Sequence, residues 1–326
     1  MTKVTVLVAV YNASRYLPAC LDSLARQTLH DIQVVCVDDA STDDSLSILQ
    51  SYAAVDERFV VLHLEQNQGQ AFARNVALQQ AKGESVCFLD ADDWFEPDAL
   101  ARAVEVFEAN ERTDAVLFDV SMDYADHAET YTMPAFEVLS GDEAFRMSLT
   151  WQIHGVYMVR TSIHLRYPYD TTCKAYSDDN STRLHFLASR QVRRCAGVYH
   201  YRQHSSSVTH AVSVRRYDYL RANESMKCSL QELNVGEDIL AAYENHRWLN
   251  LVDVYMFHFV HGAQLSARDR QYGLSELRRV WQGIDRSLLS PHITRKLGYR
   301  PMPAWWLFRV EEWLYFSLRA ILGKNH

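Results

Sequence analysis

The chain has 326 residues, 48% hydrophobic and 23% charged, enough for a full core in one large domain or one domain with an appendage. Its net charge of −8 excludes a general nucleic-acid binder, which needs a basic face to displace counterions. That charge is uneven: residues 268–326 carry a net +6 and the preceding residues −14, and a basic tail on an acidic body points to an anionic membrane surface or an acidic partner. Cys20, Cys36, Cys87, Cys173, Cys195 and Cys228 form no C-x-x-C pair, which fits a reducing cytoplasm. Met1-Thr2-Lys3-Val4 enters a strand at once without signal-peptide anatomy. No stretch reaches the ~18 apolar residues of a spanning helix.

In chain order, Val4 to Val10 is β-branched and apolar, and reads as a central strand. Tyr11-Asn12-Ala13-Ser14 follows, with Ser14 as N-cap of a helix whose apolar positions are Leu17, Cys20, Leu21 and Leu24. Ile32 to Val37 is a second strand, ending in the acidic loop Asp38 to Ser45 and a helix from Asp43 to Ala54. Phe59 to Leu64 is a third strand; after the turn Gln66 to Gln70, Ala71 to Ala81 is helical and bears Arg74. Lys82-Gly83 stops that helix before a strand from Val86 to Leu89. Further on come a helix Asp98 to Asn110 and a strand Asp114 to Val120, then a helix Asp142 to Leu149 and a strand Gly155 to Val159. A helix Asn180 to Ala188 is followed by two short strands, Gln191 to Cys195 and Val198 to Tyr201. Beyond about Arg215 the pattern is wholly helical, dividing the chain into a domain over residues 1–212 and a helical region over 213–326.

Alternating strands and helices predict βαβ units and a parallel, doubly wound sheet: an α/β protein whose loops at the carboxyl edge bind ligands. Three carboxylates, Asp90, Asp92 and Asp93, lie at that edge where the fourth strand ends. Acids this close repel one another unless they share a cation, and hard oxygen ligands favour Mg2+ or Mn2+ with positions left for substrate phosphates. A solvated acidic turn explains the same residues more blandly. The other acidic loop, Asp38-Asp39, falls on the same edge, where it either enters a helix, or accepts from a nucleotide base or shares in metal binding. Arg74 is a surface arginine or reaches a diphosphate. Asp178-Asp179 are helix-start acids or hold the carboxylate that takes a proton from a hydroxyl. His204 is a polar loop residue or a phosphate or metal contact. No G-x-G-x-x-G or G-x-x-x-x-G-K-[ST] supplies a phosphate cradle.

Taken together the chain resembles family 2 of the glycosyltransferases, inverting enzymes of the GT-A fold. The resemblance runs through Val4 to Asn12, Val37 to Ser45, Asn67 to Asn75, Ala81 to Glu84 and Phe88 to Trp94, then Asp178-Asp179 and Tyr201 to Thr209. It implies a GT-A sheet with flanking helices and a nucleotide-diphosphate sugar donor, usually a uridine diphosphate sugar. It also implies single-sugar transfer to a hydroxyl of a glycan or lipid-linked acceptor in cell-surface polysaccharide synthesis. Donor contacts fall on Tyr11, Asn12, Asp38, Asp39, Arg74, Asp90, Ala91 and His204. Tyr11 would lie against the base and Asp39 would accept from its ring N–H. Asp92, with His204, would hold Mn2+ or Mg2+, and Asp179 or its neighbour Asp178 would be the general base. The family pair is usually Glu-Asp, so this chain matches it only at the second member. A nucleotidyltransferase would want a Gly-rich loop after the first strand, and a catalytically dead sugar-nucleotide module would have lost Asp92 or both of Asp178 and Asp179; neither feature is seen.

In the tail, Trp306, Val310, Trp313, Leu314, Leu318 and Ile321 recur at helical spacing. That stripe either covers a core in its own domain or a second subunit, or lies as an interfacial helix on the inner face of a membrane. Peripheral membrane contact and a homo-oligomer both stay open.

Overall fold

The computed structural model describes residues 1–173, 176–203 and 212–324. The chain divides into two compact units: Met1–Thr171 with Ser181–Ser207, and Thr172–Asn180 with Val208–His326.

The first unit is an α/β domain. Its first half runs β1 (Val4–Val10), α1 (Leu17–Ala25), β2 (Ile32–Asp38), α2 (Ser45–Ala53), β3 (Phe59–His63), α3 (Gln70–Leu78) and β4 (Ser85–Phe88). The second half runs β5 (Trp94–Phe95), α4 (Ala99–Ala109), β6 (Thr113–Asp123), β7 (Ala128–Thr130), α5 (Gly141–Leu149), β8 (Tyr157–Arg160), α6 (Thr161–Arg166), α7 (Asp178–Ala188) and β9 (Gln191–Arg202). All strands join one sheet of order β3-β2-β1-β4-β8-β6-β9-β5, with β7 on β6. β3, β2, β1 and β4 are parallel, β8 is antiparallel to both its neighbours, and β6 and β9 are parallel. The mostly parallel sheet flanked by helices that the sequence implies is therefore observed, and among the described residues the C-terminal region is helical.

Alternation along β1 explains the two layers of core. Val4, Val6, Val8 and Val10 face Leu17, Cys20, Leu21 and Leu24 of α1 together with Ala99, Leu100 and Ala103 of α4. Leu7 points the other way, with Val35, Val37 and Val86, onto Ala73, Ala77 and Leu78 of α3. A central strand covered on both sides must be apolar at nearly every position, as this one is.

Several local expectations are corrected. Ser14 does not cap α1, which starts at Leu17 with Pro18 in its first turn; the Ser14 N–H donates instead to Asp43 Oδ2 (3.0 Å). Gly83 does not stop a helix, since α3 has ended at Leu78. Its role is close approach: a Cβ there would lie 2.5 Å from the Thr5 backbone nitrogen, and its N–H donates to Thr5 Oγ1. The expected strand pair at 191–201 is one twelve-residue strand, β9, irregular opposite Leu117–Asp119. Gly197 lies in that stretch, 2.5 Å by its would-be Cβ from the Ala99 carbonyl oxygen, so only glycine fits. α7 begins at Asp178 rather than Asn180, which puts both acids in its first turn.

The second unit is built from α8 (Asp218–Glu232), α9 (Glu237–His261), α10 (Ala267–Gly283), α11 (Pro291–Thr294) and α12 (Trp305–Ile321). Tyr217, Trp248, Leu251, Tyr255, Trp281 and Phe308 form the centre of its core. Among the described residues no helix is long and apolar enough to cross a membrane.

Candidate active site

Parallel register places the ends of β1, β2 and β4 on one edge: Val10 pairs with Asp38, and Leu7 with Phe88. Because β2 and β4 flank β1 on opposite sides, the chain reverses its winding direction there, which opens a crevice at the carboxyl ends. Residues 11–14, 38–45 and 90–93 are thereby brought to one place, as the sequence leads one to expect.

The first two of these loops are tied together. Asn12 sits at φ 51°, a left-handed conformation that asparagine tolerates better than most residues, and its Oδ1 accepts from the Thr42 N–H at 2.8 Å. The Asn12 and Ala13 N–H groups donate to Ser41 Oγ and Ser45 Oγ. Ala40 also adopts a positive φ, 60°, strain of about 1–3 kcal/mol that such sites commonly hold. Burial pushes the Asp43 carboxyl up, but hydrogen bonds from Ser45 and Ser14 outweigh it and hold it at about 2. Tyr11 projects from this frame and is half exposed.

Asp38 and Asp39 are both buried. Asp38 Oδ2 meets His63 Nδ1 at 2.8 Å and accepts from the Ser41 N–H. Asp39 accepts the Gln68 N–H on one oxygen and the Gly69 N–H on the other, each at 2.8 Å. Gly69, at φ 94°, supplies the turn that aims those two amides at the same carboxylate. Asp39 therefore fixes the loop before α3, and its oxygens keep further lone pairs for another donor.

Arg74 is buried and donates to Asp90 Oδ1 at 2.5 Å, where Gln70 Nε2 donates too (2.9 Å). Its guanidinium lies over the Phe88 ring, 4.1 Å from the centroid. The arginine expected at a diphosphate thus holds a carboxylate of the cluster. Ala91, between the acids in sequence, is buried.

The turn is held from the far side by β9. Asp93 folds inward: Tyr199 Oη donates to its Oδ2 at 2.6 Å, and the Arg202 N–H to its Oδ1 at 2.8 Å. Arg202 Nε donates to the Asp92 carbonyl (2.7 Å), and its guanidinium stacks over Trp94 at 4.5 Å. Burial, and then the charge of Asp90 with a smaller part from Asp92, pushes the Asp93 carboxyl up to about 8. Tyr199 and Arg202 escape sequence reasoning because nothing local says which of three neighbouring acids folds back onto a strand more than a hundred residues later. The alternation of β9, with Tyr199 inward, is the one signal that could have found them.

Asp178 and Asp179 are half-buried in the first turn of α7, where the helix dipole favours anions. They belong to the segment that groups with the C-terminal unit. His204 lies outside the described residues.

Among the described residues no three His, Cys, Asp or Glu side chains form a metal cage. The acidic edge still suits a hard cation of another kind. Mg2+ commonly takes one or two carboxylates and completes its shell with water and substrate phosphates, and Asp92 with Asp90 offers that donor set. Asp90, Asp92 and Asp93 within one turn concentrate negative charge at that edge.

A mostly parallel sheet with an acidic carboxyl edge at its switch point is what the GT-A fold implied by the resemblance requires. The family model described as Glycosyl transferase family 2 matches residues 5–163. EpsH of Bacillus subtilis, whose name assigns it to the glycosyltransferases without a donor or acceptor, is 31% identical over 248 residues, 72% of this chain and 71% of EpsH. The poly(ribitol-phosphate) beta-glucosyltransferase of Bacillus spizizenii is 43% identical over 103 residues, 31% of this chain but only 16% of that protein. TarS 1-349 of S. aureus, solved in complex with UDP-GlcNAc, superposes with a TM-score of 0.76 at 20% identity, covering 99% of this chain and 92% of that one, a likeness of fold. The chain belongs to glycosyltransferase family 2.

Proposed function

We propose that the protein transfers a single sugar, with inversion, from a nucleotide-diphosphate sugar to a hydroxyl of a glycan or lipid-linked acceptor in cell-envelope polysaccharide synthesis. The observation that carries this reading is the convergence of residues 11–14, 38–45 and 90–93 on one sheet edge, framed by Asn12, Asp39 and Arg74. The UDP-GlcNAc complex of a fold neighbour supports a uridine diphosphate sugar as donor. A cytoplasmic enzyme lying peripherally at the inner face of the membrane would meet both substrates.

In this reading Tyr11 packs on the base, Asp39 accepts from it, and Asp38 keeps that loop in place through His63. Asp92, supported by Asp90 and with His204 near the diphosphate, would hold Mn2+ or Mg2+. Such an ion, when bound, neutralises charge that builds on the leaving diphosphate. Arg74 keeps the Asp90 carboxylate oriented. Asp179, or Asp178 beside it, takes the proton of the acceptor hydroxyl. The acceptor oxygen forms its bond to the anomeric carbon from the face opposite the diphosphate. The bond to the diphosphate oxygen breaks with its electron pair, so one displacement inverts the centre.

The test is release of free nucleoside diphosphate from a panel of nucleotide sugars, with manganese and with chelator, in the presence of envelope glycan or lipid-linked acceptors. Metal-dependent release from one donor supports the reading. Donor binding without turnover for any donor or acceptor would instead favour an inactive sugar-nucleotide module.

A further inference from the structure

Helix α12 packs Phe308 and Phe316 into the core of its own unit but carries a second apolar face on its other side. Its apolar stripe faces outward: Trp306 is 65% exposed, Trp313 58% and Ile321 82%, and Val310, Leu314 and Leu318 are exposed as well. The face packed inward carries Phe308 and Phe316 and, unexpectedly, Glu311 and Glu312, which are the only acids of the helix and are both buried. Gly298 donates its N–H to Glu311 Oε1 (3.3 Å), while the Glu312 oxygens have no hydrogen-bond partner among the described residues. The outer face of α12 is consequently free of negative charge.

Exposed cations lie on α12 and near it in sequence. Arg309 lies on the helix, Lys324 follows it, and Arg295, Lys296 and Arg300 precede it, all exposed. Arg300 approaches the buried Glu311 at 3.8 Å, so this loop packs against the helix. On a chain whose overall charge is −8, an acid-free apolar helix face in a stretch rich in exposed arginine and lysine is a local inversion of character. Tryptophan, leucine and cationic residues in this arrangement match a helix lying in the plane of a bilayer interface, its apolar side in the acyl boundary and its cations on anionic headgroups. A second feature of the same face points to lipid. Tyr255, His258 and Phe259 of α9, with Trp306, Arg309, Val310 and Trp313 of α12, line an open groove of about 460 Å³. Its walls are largely aromatic, it lies within the range of small-molecule sites, and it carries a guanidinium.

We infer that α12 seats the C-terminal unit on an anionic lipid surface, with a lipid chain entering the α9–α12 groove. This rests on the proposed function only in supposing that the acceptor is carried on a lipid; the docking itself needs neither donor nor acceptor. The occupant is a bilayer rather than a second copy because a self-complementary contact would bring this one-signed charge against itself.

Co-sedimentation of the full chain with vesicles of phosphatidylcholine, with and without phosphatidylglycerol, tests it. The wild type is expected to bind the anionic vesicles and to weaken as salt rises. Trp313→Glu with Leu318→Glu, both at exposed positions, should lower the partition coefficient about tenfold or more, with unchanged circular dichroism and unchanged affinity for UDP. Binding to neither vesicle would overturn the inference. A dimer in sedimentation velocity that the same variant dissolves, without vesicle binding, would overturn it too and assign the face to a second copy. Since UDP affinity is read separately, failure here and failure of the glycosyltransferase reading are distinguishable.

Discussion

Two buried carboxylates, one in each unit, show how differently the same chemistry is used. Asp93 is pushed up to about 8 by burial and then by its acidic neighbours, and Tyr199 and Arg202 each give one of its oxygens a donor. Glu312 is pushed up to about 9 by burial and then by Glu311, with no hydrogen-bond partner among the described residues. The first is part of a network that fixes the turn bearing Asp90 and Asp92. The second is a cost carried beneath a helix, and what accompanies it is an outer face without acids.

The largest effect should come from Asp92→Asn. It is expected to lower metal-dependent nucleoside diphosphate release by at least about a hundredfold, because neutralising charge on a leaving group is worth several kcal/mol. Steady-state kinetics at saturating manganese would read it, and wild-type rates in the variant would remove Asp92 from the site.

Next, Gly83→Ala should destabilise the first unit by about 3 kcal/mol, since its methyl meets backbone atoms of Val4 and Thr5 at 2.5–2.7 Å rather than a yielding side chain. Chemical denaturation would measure the loss, and a variant as stable as wild type would mean that β1 and the 82–84 segment can part without cost.

The pH behaviour sharpens the contrast between the units. In the unfolded chain Glu312 releases its proton near 4.5, while in the native state it holds it to about 9. Between those values the native protein binds a proton that the unfolded one does not, so stability falls as pH rises, by at most about 1.4 kcal/mol per pH unit. Glu312→Gln should flatten that slope in melting curves taken from pH 5 to 9. Identical slopes in the two proteins would show that the carboxyl is not protonated there.

The smallest effect is expected for Tyr199→Phe, which removes one donor to Asp93 and should cost about 1–2 kcal/mol of stability. It should lower kcat about tenfold with little change in KM for the donor, as a positioning role requires. A change confined to KM would place Tyr199 in ground-state donor binding instead.

Much of the first unit was legible because its strands are short apolar runs ending in acids, and parallel register then forces those ends together. The order of strands and helices from Val4 to Phe88 follows from periodicity and chain order, whereas the roles of Ser14 and Gly83 do not. The rest depended on contacts far apart in sequence. β5 has two residues and exists only because Trp94 and Phe95 pair with His200 and Tyr199. Asp93 could not be told from Asp90 and Asp92 without β9. In α12 the period marked two faces but could not say which was inward, and the Glu311-Glu312 pair argues for the wrong one until Phe308 and Phe316 are seen in the core.

Calorimetric titration of UDP, with and without manganese, into the wild type and Asp92→Asn tests the central claim most directly, that the shared edge of β1, β2 and β4 holds the donor diphosphate. The account predicts manganese-dependent binding that Asp92→Asn abolishes and that Trp313→Glu with Leu318→Glu leaves intact. Failure of the wild type to bind UDP under either condition, or equal binding by Asp92→Asn, would contradict it.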